Sequence, residues 1–136
     1  MKRFSCFVLI VIALLACKRK DEVSYNELEG TWYLYAAYKV DQNTDWLPMA
    51  SVFGYDCLND MTMEVTADSF FVAAKGNCED MAMHGNYTVM GDSILGHDKK
   101  GNPVYFFYRN GVLSTIVNVK VLGDMDLRFQ KKTVTE

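Results

Sequence analysis

From Thr31 to Val40 the chain alternates. Trp32, Leu34, Ala36, Tyr38 and Val40 share one parity, and Thr31, Tyr33, Tyr35, Ala37 and Lys39 share the other. A period of two rich in aromatic and β-branched residues predicts a half-buried strand, entered here through Gly30. A long connection over 41–60 comes next. It carries Pro48, Gly54 and several Asn and Asp residues, but also Trp46, Leu47, Val52, Phe53 and Tyr55, so it is expected to fold back on the domain or to line an opening. Shorter strands succeed it. Stretches 61–65 and 70–74 flank a turn at Ala67-Asp68 and predict a hairpin. Stretch 86–90 turns at Gly91-Asp92 into a return that begins at 93–95, and 98–102 is a polar loop. The aromatic run 104–109 meets Asn110-Gly111, a strong two-residue hairpin signal, and 112–122 answers it; Gly123-Asp124 turns into a last strand over 125–131. No apolar pattern of 3.6-residue period reaches useful length. The pattern predicts an all-β fold, an antiparallel up-and-down meander of about eight strands that removes its edges by closing into a small barrel.

The N-terminus has a different pattern. Lys2 and Arg3 precede an apolar run from Phe4 to Ala13 that is too short to span a bilayer as a helix and has the layout of a signal peptide. Leu14-Leu15-Ala16-Cys17 closes that run and resembles the lipobox of bacterial lipoproteins. The resemblance implies cleavage before Cys17 and acylation of Cys17, which then holds the chain on a lipid bilayer; two or three acyl chains anchor stably where one does not. The chain is accordingly expected to divide into a signal peptide over 1–16, a lipidated cysteine and tether over 17–27, a barrel domain over 28–132 and a tail over 133–136. The charged run Lys18-Arg19-Lys20-Asp21-Glu22 is expected to stay solvated. Within it, Lys20-Asp21-Glu22 is similar to the lysine-plus-acids signal that sends some lipoproteins of Gram-negative bacteria to the outer membrane. That localisation is the expectation, with the periplasmic or external face left open.

Composition narrows the classes further. The chain beyond the signal has the length of one domain. The whole chain carries a formal charge of −3, which becomes more negative once Lys2 and Arg3 are removed, and without a basic stripe such a chain is a poor nucleic-acid binder. Of four cysteines, the lipobox resemblance gives Cys17 to lipid and Cys6 to the discarded signal, leaving Cys57 and Cys78. In an oxidising envelope that pair reads as a disulfide.

Leu28-Glu29-Gly30-Thr31-Trp32 places Gly-x-Trp at the start of the first strand, and with the hairpins beyond it the domain resembles the lipocalin-like lipoproteins of Gram-negative bacteria. That family commonly places one cysteine before the second strand, beside an acid, and another ahead of a Gly-x-Tyr-strand-Gly-Asp hairpin. Here these are Cys57 with Asp60, Cys78, Gly85-Asn86-Tyr87 and Gly91-Asp92. The resemblance implies a bridge between Cys57 and Cys78, a chain turn at Gly30 into the barrel floor, Trp32 plugging that end, and a basic side chain stacked on it, for which Arg128 is the candidate by position. The implied function is non-catalytic binding or carriage of a small hydrophobic ligand. Candidate lining residues are Tyr35, Tyr38, Trp46, Phe53, Phe70, Phe71, Tyr105 and Phe107, although an aromatic at strand spacing is more often plain core. The alternative is a surface interaction module or inhibitor whose loops recognise an envelope or host protein.

Other chemistry finds little support. Met81-Ala82-Met83-His84, with His97, holds ligand types suited to copper, and Cys57, Cys78, His84 and His97 can be drawn as a zinc set, but neither has a recognised spacing. No metal and no cofactor are expected. There is no Gly-x-Ser-x-Gly elbow, phosphate loop or His-Glu-x-x-His, so the chain is not expected to be an enzyme. A monomer is the expected state.

Overall fold

The computed structural model describes residues 23–98, 100–119 and 121–132; the expected signal peptide, Cys17 with most of its tether, and the expected tail lie outside them. A one-turn helix α1 (Tyr25–Leu28) leads into β1 (Gly30–Lys39), and a two-residue strand β2 (Thr44–Asp45) folds back on the end of β1. Two 3-10 helices, Leu47–Phe53 and Asp56–Asp60, then precede the hairpin of β3 (Thr62–Val65) and β4 (Ser69–Ala73). A third 3-10 helix (Gly76–Met81) precedes β5 (Met83–Met90), β6 (Ser93–His97), β7 (Pro103–Arg109), β8 (Val112–Val119) and β9 (Gly123–Lys131). Residues 25–27, which the sequence assigns to the tether, belong to α1 because Ser24 N–H donates to the Glu27 carboxylate and Leu28 is fully buried.

From β3 onward every strand pairs antiparallel with the next, and β1 pairs with both β3 and β9. The sheet therefore closes into an eight-stranded barrel, with β2 as a short spur on β1. Sheet closure leaves the barrel strands without a free edge. Asn110 and Gly111 both take positive φ, which lets the β7–β8 turn follow the strand twist as the sequence predicts.

Closure requires a register shift in β1. Its first half matches Leu34 with Phe129, but after the bulge at Tyr35 the matches are Ala36 with Arg128, Ala37 with Leu127 and Lys39 with Met125. An inserted residue flips the faces of all later positions in the strand. Trp32 and Leu34 point inward as alternation predicts, whereas beyond the bulge Ala37 and Lys39 share the inner face with Leu127 and Met125. Tyr38 turns outward.

The interior is filled. Trp32, Phe70, Phe106, Phe129, Met63, Met125, Leu113 and Leu127 are all buried in one cluster, and the buried Thr115 hydroxyl donates to the Tyr105 carbonyl at 2.9 Å. Phe70 crosses the lumen to meet Phe106 edge-on with ring centroids 4.9 Å apart. It fits because position 96 is glycine: a Cβ there would lie 2.5 Å from the Phe70 ring. An eight-stranded barrel has a lumen that side chains can fill, and here the aromatics do so.

Gly96→Ala should therefore lower stability by roughly 1–3 kcal/mol through overpacking. Adding Phe70→Leu should recover part of the loss, as read from urea unfolding midpoints. A Gly96→Ala barrel as stable as the parent would mean that Phe70 does not occupy this space.

Candidate functional site

The two ends of the barrel are built differently. At the end where β1 begins, the Trp32 side chain is 1% exposed, its indole N–H donates to the Leu28 carbonyl at 2.7 Å, and Tyr108 meets it edge-on. Gly30, at φ +127°, turns the chain from α1 into β1 in a conformation that L side chains rarely adopt. The Tyr87 hydroxyl donates to the Thr66 carbonyl at 2.6 Å. Burial, reinforced by the charge of Glu29, pushes its phenol above the ordinary tyrosine range. The folded state therefore prefers the neutral phenol. Its contribution is complete below about pH 10 and declines as pH rises through the folded value.

The basic residue over Trp32 is Lys131, not Arg128. The Lys131 ammonium lies 5.1 Å from the ring centroid and donates to the Glu27 carbonyl at 2.7 Å and the Glu29 carbonyl at 2.5 Å, so it fastens α1 across this end. Arg128 faces outward, because it lies between Leu127 and Phe129, whose side chains fill the inner face of β9. Its guanidinium lies 4.2 Å from the Tyr38 ring and holds Asp126 at 2.9 Å. The cation over Trp32 thus lies three residues beyond Arg128, at the position of β9 that pairs with Trp32.

Of the eight candidate lining aromatics, Phe70 lies within the lumen. Tyr35, Tyr38, Phe71, Tyr105 and Phe107 are on the outer wall, since the inward positions of their strands are taken by Ala37, Val72, Val104, Phe106 and Tyr108. Phe71 lies beside His84. Tyr35 and Phe107, with Val112, Ser114, Arg109 and Arg128, line a wall depression of about 530 Å³. The outer wall thus carries five of the eight aromatics offered as lining residues, Tyr35 and Phe71 among them by strand parity.

Trp46 and Phe53 sit together at the other end, the mouth, with ring centroids 4.9 Å apart. Asp45 holds their segment down: its Oδ1 accepts from the amides of Ala37 at 3.1 Å and Leu47 at 3.0 Å, while Trp46 N–H donates to the Ala37 carbonyl at 2.8 Å. Pro48 stands in the first turn of the following 3-10 helix and Gly54, at φ +77°, caps its end. Cys57 and Cys78 form a disulfide that joins the second and third 3-10 helices, and the Asn77 amide donates to the Gly54 carbonyl at 2.7 Å. The long 41–60 connection is therefore a braced flap over the mouth. It leaves Met49, Val52 and Phe53 exposed, with Val52 82% exposed.

The potential metal sets do not converge. Met81 is buried, Met83 faces inward opposite Val72, and His84 faces outward beside Phe71. Among the described residues, no three His, Cys, Asp or Glu side chains form a group able to hold a metal ion.

A closed antiparallel barrel of eight strands with one plugged end and one flap-covered mouth defines the class of protein. The family model described as Lipocalin-like domain matches residues 28–115, and the chain belongs to that family. No curated protein and no solved structure matches it.

Lys131→Met should cost about 1–3 kcal/mol, because two backbone carbonyls lose a charged donor. Arg128→Met should stay within about 1 kcal/mol, as expected for a partly exposed ion pair. Chemical denaturation of the two variants tests this, and the opposite ranking would return the floor role to Arg128.

Proposed function

We propose that the protein is a non-catalytic binder of a small apolar ligand, held at the outer membrane of a Gram-negative envelope by acylated Cys17 and taking its ligand at the mouth of the barrel. The lipobox-like Leu14-Leu15-Ala16-Cys17 supports the anchor, and membership of the Lipocalin-like domain family supports small-ligand binding. The observation that carries the location is the set of exposed apolar side chains, Met49, Val52 and Phe53, on a flap over a barrel whose depth is already filled. Apolar groups left in water gain from a ligand that covers them.

A second reading, docking of an envelope or host protein, is favoured by the exposed Tyr105, Phe107 and Ile116 on the outer wall of β7 and β8. Contiguous exposed apolar surface of this kind marks interaction faces.

One experiment separates the two. A naphthalene-sulfonate probe should bind saturably and be displaced by an envelope lipid extract, and the double variant Val52→Ser, Phe53→Ser should weaken it about tenfold while Phe107→Ser leaves it unchanged. Loss with Phe107→Ser alone would move the site to the wall. Absence of saturable, displaceable binding to folded protein would overturn the ligand reading.

A further inference from the structure

The chain enters the barrel at a fixed place. Val23 is buried and its N–H donates to the Gly91 carbonyl at 3.2 Å, in the turn between β5 and β6 at the plugged end. Tyr25 then stacks on Tyr87 of β5, with ring centroids 5.9 Å apart. Only residues 18–22 lie between Cys17 and Val23, and such a length of chain reaches at most about 21 Å when fully extended. β5 runs from the mouth to the plugged end over eight residues, roughly 25 Å of strand. Turning the mouth toward a bilayer that holds Cys17 would lift Val23 by most of that length and leave no slack. The plugged end and the wall beside the β5–β6 turn come within reach easily.

That wall is apolar. Met90, the last residue of β5, is 61% exposed. It pairs with Ser93, and Ser93 pairs with Phe107, so all three stand on the outer face. Tyr105 and Ile116 continue the exposed apolar surface along β7 and β8, and Arg109, its side chain 76% exposed, borders it at the plugged end. Charge differs between the two ends. Among the described residues, the exposed acids Asp41, Asp56, Asp60, Glu79 and Asp124 stand at the mouth, where they outnumber the exposed Lys75 and Lys100. At the plugged end Glu27, Glu29 and Asp92 are interspersed with Arg109, Lys131 and Lys132.

We infer that the outer wall from Met90 across Phe107 is a membrane-docking face, which rests on the phospholipid bilayer that holds Cys17 and turns the mouth away from it. The inference rests on the acylation of Cys17 and specifies how the anchored barrel is oriented. Met90 and Phe107 supply apolar side chains to the acyl boundary, the amphipathic ring of Tyr105 suits the headgroup level, and Arg109 meets lipid phosphate. Because the anchor already confines the barrel to the surface, the contact is intramolecular, and a modest apolar area suffices. Repulsion between the acids of the mouth and anionic lipid favours the same orientation. A protein partner could cover the same side chains, but the tether brings the bilayer to them first.

The test uses the acylated, ¹⁵N-labelled full chain in nanodiscs of phosphatidylcholine and phosphatidylglycerol, doped with a lipid whose headgroup carries a gadolinium chelate; discs with the diamagnetic lutetium chelate are the blank. Paramagnetic broadening should be strongest for the amides of 90–93 and 107–114 and weak for those of the flap over 47–53. The double variant Met90→Glu, Phe107→Glu should lose most of the broadening on the wall while keeping the parent's thermal unfolding and its retention on discs. Even broadening over the whole barrel of the anchored protein, or broadening stronger at the flap than at the wall, overturns the docking face and leaves the anchor standing. Wall broadening that survives the double substitution overturns the assignment to these side chains. Protein that is not retained on the discs overturns the anchor itself.

Discussion

Everything in this protein depends on β1 serving two neighbours. It pairs with β3 through its first residues and with β9 along most of its length, and that double pairing turns a meander into a barrel. Closure fixes the strand tilt and register, and β1 meets the requirement with a bulge at Tyr35. The bulge sends Tyr38 to the wall, where its ring meets Arg128, an outward position of β9 between the buried Leu127 and Phe129. It also brings Lys39 to the inner face at the mouth. One inserted residue therefore gives Tyr38 to the surface and Lys39 to the opening.

The filled lumen is the second consequence. Closing eight strands leaves a narrow interior, and Phe70 over Gly96, Phe106, Phe129 and Trp32 occupy it. The Trp32 end is sealed by α1, whose carbonyls are held by the indole N–H and by Lys131. The other end is closed by a segment fastened by backbone-directed hydrogen bonds to Asp45 and by one disulfide, with Ala50 and Leu58 buried beneath it and Met49, Val52 and Phe53 left outside. Exposed apolar surface therefore lies at this rim and on the outer wall of β7 and β8.

The period-two alternation, the Asn110-Gly111 turn and the succession of short strands made the all-β meander legible in the sequence, and the Cys57–Cys78 bridge is present in the structure. What alternation cannot report is a bulge, since an unpaired residue leaves no compositional mark; the inward assignment of Tyr38 fails at that point, whereas the stacking of Arg128 on Trp32 fails against the alternation of β9 itself, in which Leu127 and Phe129 face inward. Tyr105 and Phe107 misled for a different reason. Aromatic side chains favour strands on either face, and the decisive signal was Phe106 between them, matched through Ile94 and Thr115 to the inner face of neighbouring strands. Lys131 carries only a parity signal, as the residue two beyond Phe129 on the inward side. The 25–27 segment read as tether because its only fully apolar partner, Leu28, falls at its end.

The two tryptophans give the most direct test of the account. Trp32 is sealed in the plugged end and Trp46 lies unpaired at the mouth, so their indole N–H resonances report the two ends of the barrel separately. In a titration of ¹⁵N-labelled protein with the naphthalene-sulfonate probe, the Trp46 resonance should shift and saturate together with the amides of Ala37 and Leu47, while that of Trp32 stays in place. Movement of Trp32 with Trp46 unchanged would contradict the account.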